Sequence, residues 1–320
     1  MRRGQIQRQL RGVLPLRRPR DLVLMYHRVV TAPRDPLRLN VTPEHFAEQA
    51  QVLADLPMPV VPLEGLLAPA PGPRIAITFD DGYLDNFDVA APILVSLGLP
   101  ATYFVTTGAL DEGAEEFWWD RIEHLLFDEG QQLPHLRLDL GARVLELDLS
   151  DLVARERAFL VCNDAVALAR PPAADRLVAA LAEALGRTTE PCARHARISR
   201  DRLRSVARNP LVSVGSHTRD HAALRNLDDA AAREQIVGTR RALADVLDSP
   251  PAFLAYPFGG RLAVGSRDVA LAKEAGYIAA CVTRPDTKRR GSDPHRIPRW
   301  SVPDVGGPTF RALVTAFASR

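Results

Sequence analysis

The sequence predicts an α/β fold with a parallel sheet, and three observations carry that expectation. Short apolar runs that read as buried strands recur at Leu22–Val29, Ile75–Ile77, Ala101–Val105, Val212–Ser216 and Ala252–Tyr256. Segments of helical periodicity separate several of them, which implies crossover connections and parallel pairing. With 320 residues, the chain can also bury a complete barrel core, since α/β barrels of ~250 residues fold as one domain.

Taken in order, Leu22-Val23-Leu24-Met25-Tyr26-His27-Arg28-Val29 is strand-like and places His27 at its end. Thr42 caps a helix that has Pro43 at its first position and runs to about Leu56. Val60-Val61, bracketed by prolines, is at most a very short strand. A helix from Asp85 to Leu97 stops at Gly98, and the strand Ala101–Val105 follows. Between Gly108 and Pro210 lie about a hundred residues, more than one strand–helix repeat needs. There Glu116–Leu126 reads as an amphipathic helix, and Leu136–Leu140 with Val144–Leu147 as a hairpin turning at Gly141. Helical stretches near 151–169 and 173–186 complete this segment. Beyond it come Val212–Ser216, an amphipathic helix from Ala230 to Leu247, the run Ala252–Tyr256, and a helix from Ser266 to Ala275 stopped by Gly276.

Chemistry concentrates where these runs end. Ile75-Ala76-Ile77 leads into Thr78-Phe79-Asp80-Asp81-Gly82-Tyr83, and two carboxylates at a strand mouth are costly unless protons, cations or a metal accompany them. Successive strand residues point to opposite sides, so Asp80 and Asp81 can take separate roles, one handling a proton and the other holding a metal. Val212–Ser216 runs into His217-Thr218-Arg219-Asp220-His221, whose two imidazoles stand at a spacing suited to one cation. Ala252–Tyr256 ends in Pro257-Phe258-Gly259-Gly260. Each ending alone is an ordinary turn; together they point to one site.

Carrying these motifs, the chain resembles the polysaccharide deacetylase family, the NodB-homology domain of carbohydrate esterase family 4, over roughly residues 22–110 and 210–305. Thr78-Phe79-Asp80-Asp81-Gly82 matches the family's first motif and His217-Thr218-x-x-His221 its second. The third is kept only as Pro257-Phe258-Gly259, with Ala255 where an arginine is expected, and two further motifs find no counterpart. The resemblance implies a distorted (β/α)7-8 barrel over residues 22–320, preceded by a basic arm at 1–21 and interrupted by a helical insertion at about 113–208. It makes Asp81, His217 and His221 the ligands of one divalent metal ion, zinc first, with cobalt and nickel as alternatives. Asp80 becomes the general base, and Pro257, Phe258 and Tyr83 are expected at the substrate and oxyanion position. For the general acid two histidines stand open: His27, as in a branch that acts on poly-N-acetylglucosamine and opens with a Tyr-His strand, and His295, near the family's C-terminal histidine motif. A similar Phe-Trp-Trp-Asp insertion occurs in a bacterial branch associated with exopolysaccharide or glycolipid assembly. Trp118 and Trp119 are there either core residues or platforms for sugar rings, and Asp120 is a site candidate by resemblance only.

The activity so implied is removal of N-acetyl groups from sugars in a polysaccharide, oligosaccharide or glycolipid. Alternatives are an O-acetyl esterase or other deacylase, and an inactive glycan-binding barrel. Composition fits: a net charge of +2 gives no general field for nucleic acid. Arginines crowd the first twenty residues with no acid among them, which suits either a solvated terminus or contact with an anionic membrane surface. The apolar stretch there is broken by Arg11, Pro15 and Arg17, unlike a signal peptide, and no run approaches ~18 apolar residues. Cys162, Cys192 and Cys281 are odd in number and widely spaced, giving no disulfide framework. A reduced, cytoplasmic setting is the expectation, with oligomeric state left open.

Overall fold

Strand and helix alternate as expected. The computed structural model describes residues 20–110, 116–127, 133–141, 143–169, 172–188, 192–289 and 291–318; most of the basic arm lies outside them. Strand β1 (Leu22–Tyr26) is followed by the short pair β2 (Arg28–Val29) and β3 (Asn40–Val41) and by helix α1 (Pro43–Asp55). The Thr42 hydroxyl accepts from the His45 N–H and so caps α1. β4 (Ile75–Phe79) leads through a π-helical turn at Asn86–Ala90 into α2 (Ala91–Ser96), then β5 (Ala101–Val105). The insertion supplies α3 (Trp118–Phe127), β6 (His135–Asp139), β7 (Val144–Asp148), α4 (Leu152–Val166), α5 (Ala173–Leu185) and α6 (Arg200–Val206). β6 and β7 form the expected antiparallel hairpin, pairing Leu138 with Leu145.

The chain then continues through β8 (Val212–Ser216) and α7 (Asp229–Arg233), a second π-helical turn at Glu234–Gly238, and α8 (Thr239–Leu247). It ends with β9 (Phe253–Ala255), α9 (Ser266–Glu274), β10 (Ala279–Thr283), β11 (Ile297–Ser301) and α10 (Gly307–Ala318). The sequence reading had not resolved β10, β11 or α10. Among the described residues, β1, β4, β5, β8, β9, β10 and β11 close into a seven-stranded barrel, every neighbouring pair parallel. All strand C-termini therefore open at one mouth.

Period-two alternation sorts the strand side chains. Leu22, Leu24 and Tyr26 of β1 join the outer core under the helices, while Val23 points inside with Ala76, Phe104, Ala255, Cys281 and Ile297. Outside, Phe79 stacks on Tyr103 at 4.8 Å and on Tyr26 at 5.3 Å between ring centroids. The barrel interior is narrow: a Cβ on Gly215 would stand 2.5 Å from the Phe104 ring, so glycine there is what admits the aromatic. The insertion packs a core of its own around Ile122, Leu125, Phe159, Cys162, Leu177 and Leu181, and Tyr83 of the barrel is part of it. Burying each such side chain stabilises by roughly 1.5–3 kcal/mol, enough to hold the insertion as a fixed wall over the mouth. All three cysteines are free thiols. Among the described residues no helix is long and apolar enough to cross a membrane.

Candidate active site at the barrel mouth

Along β4 the inward positions run Ala76, Thr78 and then Asp80, so the first carboxylate continues the interior face just past the strand end. It is 2% exposed. An unpaired anion at that depth would be untenable, and Arg299 of β11 answers it. Its two terminal nitrogens each donate to one Asp80 oxygen at 2.6 Å, and one also donates to the Thr78 hydroxyl at 3.3 Å. Arg299 is itself 1% exposed and lies over the Phe104 ring. Burial alone would raise the Asp80 pKa; Arg299, then His217, outweigh it and hold the carboxyl below its ordinary value. Ala255, at the position where the resemblance places an arginine, is fully buried and offers only its carbonyl. The charge partner comes from another strand, which sequence reading missed.

Asp81 leaves the strand with φ +73° and Gly82 follows at +82°, a left-handed pair that swings the second carboxylate away from the first. Thr218, His221 and Phe258 also have positive φ, so four of the six described non-glycine residues in this region of backbone space sit in the motifs. Each costs of order 1–3 kcal/mol unless its surroundings fix it. Here side chains from the two π-helical turns do so. Gln235 accepts from the Arg219 and Asp220 N–H groups, and Asn86 donates to the Asp80 carbonyl at 3.4 Å.

The ring nitrogens then converge. The His217 Nδ1–H donates to the Ala255 carbonyl at 2.8 Å, which turns Nε2 toward Asp81 Oδ1 at 3.3 Å. His221 Nε2 lies 3.4 Å from the same oxygen. Among the described residues that oxygen has no hydrogen-bond partner of acceptable geometry. Two imidazole nitrogens and one carboxylate oxygen, all within 4.8 Å of one another and buried, fit a single divalent cation. Burial would raise the Asp81 pKa, but the two histidines hold it well below the usual carboxylate range. Burial pushes His221 down to about 4, while for His217 burial is outweighed by Asp80 and Asp81 and the pKa lies above its ordinary value.

These groups face a cavity of about 260 Å³ shared by His27, Phe258 and the insertion residues Trp119, Asn163 and Ala167. His27 follows β1 directly and so stands at the mouth. The Phe258 ring packs 4.8 Å from His221 on a turn that needs glycine next, since a Cβ on Gly259 would lie 2.1 Å from the Thr283 nitrogen. Pro257, expected beside the substrate, is buried and does not line the cavity. Tyr83 is also displaced from its expected place. It is 1% exposed, with its hydroxyl donating to Asp120 at 2.8 Å and accepting from the Trp119 indole at 2.9 Å. His295 lies in the turn just before β11, at the end of the barrel opposite the mouth, its Nε2 2.9 Å from the Tyr277 carbonyl. It does not line the cavity that His27 shares with Asp80 and Asp81.

Asp120 does not reach the cavity either; it belongs to a buried network. His195 Nδ1 lies 3.1 Å from Asp120 and 3.1 Å from Arg28, and Arg28 pairs with Asp85 at 2.9 Å while its guanidinium covers the Tyr83 ring. Asp120, Glu123 and His195 have the donor set of a second metal site. Arg28 and Arg194, the latter 3.2 Å from Glu123, already supply the positive charge there, so the cluster is an ion-pair network clamping insertion to barrel.

The family model described as polysaccharide deacetylase matches residues 68–133 and 161–280, more than half of the chain. The chain belongs to the polysaccharide deacetylase family and is an enzyme of that class, built on the family's barrel. No curated protein matches it by sequence. In fold it is similar to the Streptococcus pyogenes deacetylase PplD solved with acetate, at 16% identity and TM-score 0.61, covering 94% of this chain and 99% of that one. It is also similar to IcaB from Ammonifex degensii, at 18% identity and TM-score 0.60, covering 94% and 98%. A third likeness, the protein BA0330 from Bacillus anthracis, has 18% identity and TM-score 0.59 over 92% of this chain and 69% of that one.

Proposed function

We propose that this enzyme hydrolyses the acetamide of N-acetylated sugars in a polysaccharide, oligosaccharide or glycolipid, releasing acetate and leaving a free amine. The observation that carries the reading is the buried, unpartnered Asp81 Oδ1 set 3.3 and 3.4 Å from two imidazole nitrogens. In this reading Asp81, His217 and His221 hold one divalent ion, zinc foremost. Such an ion, when bound, lowers the pKa of water and polarises an acyl carbonyl.

The chain's own groups do the rest. Asp80, kept ionised by Arg299, takes the proton of the attacking water. His27 stands at the same mouth and gives a proton to the departing sugar amine, a poor leaving group until protonated. Phe258 covers the site and offers its backbone N–H toward the developing oxyanion. Leu37, Leu39 and Trp119 exclude water around the acetyl methyl.

The test is metal content and product chemistry together, on acetylated oligosaccharides and lipid-linked sugars followed by mass. Alanine at Asp81, His217 or His221 is expected to drop metal well below one per chain. Asp80→Asn should keep metal and lose about 10²–10⁴-fold in turnover. His27→Ala should keep metal and remove the alkaline limb of the pH–rate profile, whereas His295→Ala should leave that limb in place. Acetate released without a new amine would make the enzyme an esterase. No mass loss with any acetylated glycan in the metal-loaded protein would overturn the reading.

A further inference from the structure

Four arginines converge on a cavity of about 500 Å³ that shares no lining residue with the catalytic one. Arg225 comes from the turn Leu224–Asn226 after β8, Arg261 and Arg267 from either side of the turn between β9 and α9, and Arg296 from the turn before β11. Asp268 is the one acid among the residues lining the cavity. It is fully buried and already engaged, accepting from the Gly265 N–H at 2.7 Å and from Arg267 at 2.9 and 3.0 Å. Arg267 also reaches Asp229 at 3.1 Å, so its charge is answered. The other three are not. Arg225 donates to the Arg261 carbonyl at 2.6 Å, which leaves its charge unmatched. The Arg261 and Arg296 side chains have no hydrogen-bond or ion-pair partner among the described residues.

An arginine-rich composition does not by itself produce this. Elsewhere on the surface such side chains meet carboxylates, Arg202 with Asp88 and Arg233 with Glu274, both at 2.7 Å. Like charges gathered around one cavity repel unless an anion comes between them. Guanidinium forks match phosphoryl oxygens with two parallel hydrogen bonds. No aromatic ring among the described residues lines the cavity, so a nucleobase or an apolar tail would find no platform there. A single phosphate ester carries about −1.5 to −2 at pH 7, too little for three cations, whereas two linked phosphoryl groups supply enough.

We propose that this cavity is an anion site for a diphosphate group, free or esterified. The site needs neither the metal assignment nor the acetamide chemistry, and it spans a seam between two loops of the catalytic mouth. Arg225 follows His221 on one loop and Arg261 follows Phe258 on the other. The Arg225 N–H already donates to the Ala263 carbonyl across that seam at 2.8 Å. A diphosphate held by both arginines adds a charged tie beside that bond.

The test is calorimetric titration of the full chain at physiological salt with inorganic diphosphate, ADP and geranyl diphosphate, against orthophosphate. One site per chain is expected, with equal affinity for the three diphosphates and about tenfold weaker binding of orthophosphate, which makes fewer charged contacts. Arg261→Gln combined with Arg296→Gln should weaken diphosphate binding on the order of 10²-fold, about tenfold for each arginine lost. Turnover without diphosphate should stay unchanged in that variant, since neither residue lines the catalytic cavity. Arg157→Gln combined with Arg241→Gln removes the same charge at exposed positions elsewhere and should leave binding intact. Bound diphosphate should also slow hydrogen exchange at the Arg225 amide. The site is overturned if orthophosphate binds as tightly, or if both double variants lose affinity alike, which would mark a general field. Binding of geranyl diphosphate or ADP alone, or diphosphate binding that survives in Arg261→Gln/Arg296→Gln as it would at a bound metal ion, sinks it equally.

Discussion

At the scale of single residues, the arrangement turns on Arg299. Its guanidinium meets Asp80 with two contacts of 2.6 Å inside the barrel, and both partners are almost fully buried. Removing one member of such a pair leaves an uncompensated charge at a cost of about 3–5 kcal/mol. Arg299→Ala is therefore expected to lower unfolding free energy by that amount in denaturant titration. It should cut turnover on the order of 10²-fold, since the base would be misplaced, with metal stoichiometry unchanged. Arg299→Lys, which cannot make the forked contact, should fall between. A second expectation concerns His221 in the metal-free protein. Burial holds it near 4, against about 6.5 in the unfolded chain. Between those values the unfolded chain takes up a proton that the folded chain refuses, so stability is present above ~6.5 and lost on acidification toward 4. His217, whose pKa is raised, contributes with the opposite sign. His221→Asn should flatten the acid-side slope by on the order of 3 kcal/mol at most, measured by urea midpoints with chelator present.

Elements differ in how much of themselves the sequence reveals. β4 and β8 were legible because apolar residues run straight into a motif, β5 by its apolar run after Gly98, and α1 because Thr42 and Pro43 mark its start. β10 was not, since Ala279-Ala280-Cys281 lacks the β-branched signature of a strand. β11 was hidden by Pro298 and by the arginine it buries. The same division holds in the site: Asp80, Asp81, His217 and His221 are contiguous motifs, while Arg299 and Asn163 are brought in by topology alone. No local signal separates Arg299 from the many surface arginines of an arginine-rich chain. Tyr83 shows how one element is fastened to another, its hydroxyl lying between the Trp119 indole and Asp120. Tyr83→Phe leaves two buried polar groups without this partner, each costing about 1–3 kcal/mol. Its expected outcome is a destabilised insertion, seen as faster hydrogen exchange in α3 with exchange in the barrel strands unchanged.

On the scale of the whole molecule, the barrel core and the insertion core are built without the metal ligands. Chelation should therefore abolish turnover while circular dichroism and a cooperative thermal transition persist, and zinc should restore both activity and the few degrees of midpoint that ligand binding adds. The clamp on Asp80 also has a consequence in time. Its partner lies 219 residues further along the chain, and β11 is the last strand to join, closing the ring against β1. While the chain is being synthesised, the three proposed metal ligands emerge before the arginine that pairs with Asp80. On the proposed assignment, a chain clipped ahead of β11 would carry all three ligands yet lack the group that holds its base in place.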